Sequence, residues 1–226
     1  GIPALDGCEL VIEATPEDSS AKQEVLAALV TAAPADATLV TTTSVLSVTQ
    51  LALATGALSR LVGLHLSLPT DQRTLAEVVR TVLASDAAVA DVTAFADATG
   101  RSVAEVTDRP GFITARLLYG YLNHAISMVQ NGYASKQDVD AAMRFGCGYP
   151  VGPIVMADAI GLDVLHDALA QLYAVTGERV HAPAPILKQL VAAGHTGQKA
   201  ARGFYTYAVP GSAEVVTEAQ SAAAAP

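Results

Sequence analysis

Residues 10–43 read LVIEATPEDSSAKQEVLAALVTAAPADATLVTTT, and the class of fold turns on how this stretch alternates. Leu10 to Ala14 is a short apolar run broken only by Glu13, which suits a buried strand. Asp18 and Ser19 offer a helix cap, and Val25, Leu26, Leu29 and Val30 then recur at helical spacing until Pro34 ends the pattern. Thr38 to Thr43 is β-branched and strand-like. Strand, helix and strand in that order predict a parallel sheet with helical crossovers.

Working outward, Ser47 caps a short second helix carrying Val48, Leu51 and Leu53. Leu61 to His65 and Leu75 to Arg80 read as strands, Asp86 to Thr99 as a helix stopped by Gly100, and Ser102 to Val106 as a last strand. From Pro110 onward the strand signals cease. Ile113, Leu117, Tyr121, Leu122, Ile126 and Val129 mark a long helix that stops at Asn131-Gly132. Ser135 with Asp138 resembles a capping box for a helix running to Phe145, and Gly152-Pro153 opens another. Two further helices cover Leu162 to Val175 and Pro185 to Ala193. After Tyr207, Pro210, Gly211 and a run of alanines predict a mobile tail. The expected organisation is an α/β domain over 1–107, an all-α domain over 108–208 and a disordered tail over 209–226.

The 226 residues are 51% hydrophobic and 15% charged, enough to bury a substantial core. Thirteen basic against 22 acidic residues leave a net charge of -9, which repels a phosphate backbone, so no nucleic-acid partner is expected. No apolar run has the length of a membrane span, and no basic segment followed by an apolar one opens the chain, so no membrane partner is expected either. Cys8 and Cys147 are far apart and lack neighbours at metal-ligand spacing; neither a disulfide framework nor a metal site is expected, and the cytoplasm is the default compartment.

His65 stands at the carboxyl end of a predicted strand, where open parallel sheets place ligand-binding groups. An imidazole there can take a proton from an alcohol while hydride leaves the same carbon. Glu77, twelve residues on in the next strand, can fold back to fix its tautomer. The competing reading is a histidine that ends a strand and a solvated edge glutamate, and spacing alone favours that one.

The run Gly63-Leu64-His65 through Pro69, followed by Leu75-Ala76-Glu77-Val78-Val79, resembles the segment of L-3-hydroxyacyl-CoA dehydrogenases that carries their histidine–glutamate dyad. Asp108-Arg109-Pro110-Gly111-Phe112-Ile113 with Arg116-Leu117-Leu118 resembles the family's interdomain junction. Ser135-Lys136 with Asp138, Val139, Asp140 and Met143, then Gly146 through Pro153 with Asp158, Gly161, Leu162 and Asp163, resembles its helical domain. Lys199, Gly203-Phe204-Tyr205 and Tyr207 are similar to its closing signature. The resemblance spans residues 6 to 208 and implies a partial Rossmann-type NAD-binding domain followed by a helical domain for substrate and dimerisation. It implies oxidation of a 3-hydroxyacyl-CoA, such as 3-hydroxybutyryl-CoA, to the 3-ketoacyl-CoA in fatty acid metabolism, with NAD as cofactor and a homodimer through the helices. His65 is then the general base, Glu77 its orienting carboxylate, and Ser44 the serine that hydrogen-bonds the substrate oxygen and the histidine. Glu13, Lys22 and Thr42 match positions on the cofactor side; without the resemblance, Glu13 reads as an acid at a strand end and Lys22 as a surface lysine on an amphipathic helix.

Three departures accompany these matches. Thr42, Leu68 and Ala115 stand where the family has asparagines, and losing the amide that Ala115 replaces implies a cost of about two to three powers of ten in turnover. The Gly-x-Gly-x-x-Gly turn that cradles the cofactor pyrophosphate in the family is not among these residues, and Gly1 is not a methionine. The resemblance therefore implies half a cofactor site and an unpaired sheet edge in this chain: either the missing portion exists elsewhere in the native product, or another chain covers that edge, or the fold is adapted to do without it. The alternative is a catalytically impaired relative kept as an acyl-CoA-binding or dimerisation module.

Overall fold

The computed structural model describes residues 5–66 and 75–216. They fall in two compact units, Gly1–Arg116 and Leu117–Pro226. Leu68 and Pro69, on which one departure and part of the dyad motif fall, lie outside the described residues.

The first unit holds a five-stranded sheet in the order β1 (Leu10–Glu13), β2 (Thr38–Thr41), β3 (Leu61–Leu66), β4 (Leu75–Arg80) and β5 (Ser102–Thr107). Helices α1 (Ser19–Ala32) and α2 (Val48–Thr55) connect the first three strands, and α3 (Asp86–Ala98) connects the last two. Caps expected from the sequence are in place: Asp18 accepts from the Ala21 amide, and Ser47 from that of Gln50. β1, β2 and β3 are parallel, as are β4 and β5, but β3 and β4 run antiparallel. The sheet is thus not parallel throughout, as the alternation suggested. A parallel return needs a crossover of a dozen or more residues. Eight residues separate Leu66 from Leu75, so the chain doubles back.

Side chains alternate across this sheet and feed two cores. Leu39, Leu61 and Val79 join Leu26, Leu29, Val48 and Leu51 on one face, with Phe112. Val40, Val62, Leu64 and Val78 join Val89 and Val92 of α3 on the other. Gly63 is needed for the first of these: a Cβ there would lie 2.7 Å from Val79 Cβ and 2.9 Å from Val48 Cγ2. Residues 61, 63 and 65 share that face, so His65 emerges from it just beyond the closest packing of the strand.

The second unit is helical. It holds most of α4 (Thr114–Gln130), then α5 (Lys136–Ala141), α6 (Pro153–Ile160), α7 (Leu162–Thr176) and α8 (Pro185–Ala192) around Leu122, Ile126, Ile154, Leu162, Leu165, Leu169 and Leu187. Ser135 caps the helix by accepting from the Asp138 amide, and its hydroxyl donates to the Asp138 carboxylate, so only half of the expected capping box forms; the helix expected to reach Phe145 widens into a π-helical turn over Ala142–Gly146. No described helix is long and apolar enough to cross a membrane. The stretch after Tyr207, expected as a tail, turns back so that Tyr207 pairs with Val215; residues 217–226 lie outside the described part.

Two buried carboxylates close this unit. Asp140 accepts from the Ile154 amide at 2.7 Å and the Tyr205 hydroxyl at 2.8 Å. Asp158 accepts from the amides of Phe204 and Tyr205, both at 2.9 Å, and from the Tyr207 hydroxyl at 2.8 Å. Gly203 lies against Asp158 with no room for a side chain. The spacing Gly203-Phe204-Tyr205-x-Tyr207 therefore supplies one close approach and three donors to a single acid. Burial pushes the carboxyls of Asp140 and Asp158 up, opposed by these donors. Replacing Asp158 by alanine leaves two amides and a hydroxyl without an acceptor; the expected loss is about 3 kcal/mol of stability, measured by urea unfolding.

Candidate active site

His65 and Glu77 are direct cross-strand neighbours in the antiparallel pairing of β3 with β4. The reversal that the alternation did not predict is what sets them side by side. Their side chains meet at 2.6 Å, Nδ1 to Oε2, and both residues are buried, 6% and 1% exposed. The Phe112 ring lies 5.8 Å from the imidazole, tilted by 51°.

Glu77 has three more donors. Its Oε1 accepts from the backbone amides of Ile113 at 2.8 Å and Thr114 at 3.1 Å, and its Oε2 also accepts from the Thr114 hydroxyl. Ile113 and Thr114 open α4, where backbone N–H groups have no partner within the helix. The carboxylate therefore caps this helix and meets the favourable end of its dipole. Burial opposes ionisation of Glu77, yet bonds from His65, the Thr114 hydroxyl and the two amides outweigh it and hold the carboxyl down at about 2. An ionised acid can only accept, so Nδ1 carries the proton between them. Nε2 is then the nitrogen left to act as a base.

The carboxyl ends of β1 and β2 and the first turn of α1 carry the other predicted residues. Thr42 and Ser44 lie just past β2, half-buried, and their hydroxyls make no hydrogen bond among the described residues. Ser44 is not brought into hydrogen-bonding contact with His65. Glu13 and Lys22 are both withdrawn from solvent, at 2% and 0% exposed. Lys22 is no surface lysine: its ammonium donates to Glu13 at 3.0 and 3.2 Å and to the Thr15 carbonyl at 3.0 Å. Glu13 also accepts from the hydroxyls of Thr15 and Thr41; burial works against its ionisation, but these bonds and Lys22 hold its carboxyl below the usual range. Helical periodicity alone hid this lysine, because its stem lies on the buried side of the first turn of α1.

Two residues were missed by reading the sequence. Thr114 adjoins the departure at Ala115, itself buried at 3% exposed, and nothing in the spacing marked its hydroxyl. Glu17 accepts from the Thr43 hydroxyl and the amides of Ser44 at 3.1 Å and Val45 at 3.2 Å, so it shapes the loop that presents Ser44. The available signal was indirect: a turn after β2 needs an acceptor for its free amides, and Glu17 follows the adjacent strand. In the helical unit the Asn123 side chain donates to the Val180 and Ala182 carbonyls and accepts from the Ala184 amide, and His124 is exposed.

Two family models match the chain in succession: 3-hydroxyacyl-CoA dehydrogenase, NAD binding domain, over residues 2–109, and 3-hydroxyacyl-CoA dehydrogenase, C-terminal domain, over 111–207. The chain belongs to the 3-hydroxyacyl-CoA dehydrogenase family. A 3-hydroxybutyryl-CoA dehydrogenase of Mycobacterium tuberculosis is 40% identical over 206 residues, 90% of this chain and 72% of that protein. The human mitochondrial hydroxyacyl-coenzyme A dehydrogenase is 36% identical over 200 residues, 88% of this chain and 64% of that protein. The crystal structure of (S)-3-hydroxybutyryl-CoA dehydrogenase from Ralstonia eutropha superposes with a TM-score of 0.86 at 32% identity, over 90% of this chain and 72% of that one. The fold is accordingly the family's Rossmann-like, mostly parallel NAD-binding domain followed by its helical domain, and the cofactor is NAD. The uncommitted hydroxyls of Thr42 and Ser44, at the carboxyl end of the sheet, fit the approach of a polar ligand there.

The depressed Glu77 carboxyl makes a pH prediction. Its folded value lies below its ordinary one of 4.5, so the stability it contributes is complete above about pH 5 and is lost as pH falls toward 2. Chemical unfolding of wild type and Glu77→Gln is expected to differ by about 3 kcal/mol at pH 6, with the gap closing at pH 2 to 3. A gap independent of pH would show that the carboxylate charge is not what stabilises the site.

Proposed function

We propose that His65 is the general base and Glu77 its orienting carboxylate in the NAD-dependent oxidation of a 3-hydroxyacyl-CoA to the 3-ketoacyl-CoA. The reading rests on one observation, the buried Nδ1–Oε2 contact that leaves Nε2 of His65 as a base at the carboxyl edge of the sheet. Bound NAD supplies the hydride acceptor. Nε2 takes the proton of the 3-hydroxyl as the C3 hydrogen departs with its electron pair, and the C–O bond becomes a carbonyl. Glu77 stays ionised and stabilises the imidazolium so formed. The Ser44 hydroxyl, held out by the Glu17-bound turn, donates to the substrate oxygen, and Thr42 lines the cofactor side. Glu13 and Lys22 serve the cofactor by bracing the end of β1 through their own ion pair.

Residues 1–107 then form the cofactor part and 108–208 the part for substrate and dimerisation. The names of the relatives favour a short acyl chain such as 3-hydroxybutyryl, used in fatty acid β-oxidation. Both cysteines are free, which suits the reducing cytoplasm. With acetoacetyl-CoA and NADH, His65→Gln is expected to lose about a thousandfold in kcat with little change in KM. Undiminished turnover by that variant would overturn the reading.

The helical unit carries an apolar groove of about 400 Å³ lined by Tyr121, Ala125, Met128, Val139 and Met143, and Leu117, Tyr133 and Phe145 are widely exposed. A surface of this kind suits a second copy of the chain. Sedimentation velocity at micromolar concentration is expected to give twice the 23.1 kDa of the chain, and a 23.1 kDa species would rule the dimer out.

A further inference from the structure

Thr114 has a hydroxyl whose position the reaction scheme leaves unexplained. It donates to Glu77 Oε2, the same oxygen that accepts His65 Nδ1, and lies 3.3 Å from that nitrogen. The amides of Ile113 and Thr114 occupy the other oxygen. A carboxylate offers about four lone-pair sites, and here four donors fill them. Glu77 Oε1 already caps the helix by accepting from the Ile113 and Thr114 amides, so capping does not require the hydroxyl.

An acceptor shared by two donors binds each less strongly than it would bind one. Were the Thr114 hydroxyl absent, Oε2 would present its charge to the imidazole alone. The imidazolium would be stabilised further, and the ring would hold its proton to higher pH. A general base must be neutral where it works. Among the described residues the groups that hydrogen-bond to the His65 ring or pack a ring against it are Glu77 from β4 and Thr114 and Phe112 from the segment opening α4, and of these only Glu77 is titratable.

We propose that Thr114 is a positioning residue for the dyad: its hydroxyl shares Glu77 Oε2 with His65 and limits the charge that oxygen presents to the ring. This rests on the reading of His65 as the base.

The test is an NMR titration of the His65 imidazole in the full chain, its signal assigned by its disappearance in His65→Gln. Thr114→Val keeps the shape and removes the hydroxyl; Thr114→Ser keeps the hydroxyl. The valine variant is expected to move the titration midpoint upward by about half a unit or more, and the acid limb of the kcat/KM profile with it, while serine stays at the wild-type position. An unmoved midpoint in Thr114→Val, or an equal shift in Thr114→Ser, overturns the inference. Should the valine variant fail to fold, Thr114→Ala carries the same expectation. The two readings fail separately: an upward shift in Thr114→Val beside undiminished turnover in His65→Gln would sink the role of His65 as base and leave the hydrogen-bond effect standing.

Discussion

The carboxylate of Glu77 ties β3, β4 and the start of α4 together. It is buried in the first unit, ionised, and surrounded by four donors drawn from a facing strand and from the start of a helix. A charge withdrawn from water this far is tolerable only when its lone pairs are filled. The donors that fill them are the imidazole, a helix amino terminus and a hydroxyl. Local folding and the chemistry of the site therefore share one acid. Anything that loosens α4 at its first turn also loosens the grip on His65, and anything that neutralises Glu77 leaves the helix amides without their acceptor.

That arrangement depends on the reversal between β3 and β4. In a wholly parallel sheet two neighbouring strands joined by a crossover would present their carboxyl ends together, and residue 77, in mid-strand, would not face residue 65 at the strand end. The antiparallel register brings the middle of one strand against the end of the other. The eight-residue connection after Leu66 is too short for a crossover, so the reversal was legible in chain length, although local alternation spoke for a parallel sheet. Periodicity and caps gave strands and helices within a residue or two, because apolar spacing and Ser or Asp caps act locally. Strand direction is settled by the length of the connection, which pattern matching along one element does not see.

The same division runs through the site. His65 and Glu77 were visible as a pair because both lie on strands and the resemblance is dense around them. Apart from the resemblance, which implies a place on the cofactor side, Lys22 reads as a surface residue, since a charged residue in the first turn of an amphipathic helix usually is one. Its burial follows from Glu13, whose position at the end of β1 gives the ammonium an acceptor it could not find from helical spacing alone. Glu17 and Thr114 were missed for the converse reason: each acts on backbone or side-chain groups distant in sequence. Acceptors for unpaired amides are found only when the turn that exposes those amides is known.

Buried acids recur as the organising device in the second unit. Asp158 collects the amides of Phe204 and Tyr205 and the hydroxyl of Tyr207, and Asp140 collects the amide that opens α6 together with the Tyr205 hydroxyl. Here burial wins and both carboxyls are pushed up, whereas in Glu77 the donors win. The difference lies in the partners. Asp140 and Asp158 are held by neutral amides and phenols; Glu77 faces an imidazole that can itself become a cation. Of these three acids, the one held ionised is the one placed beside the imidazole.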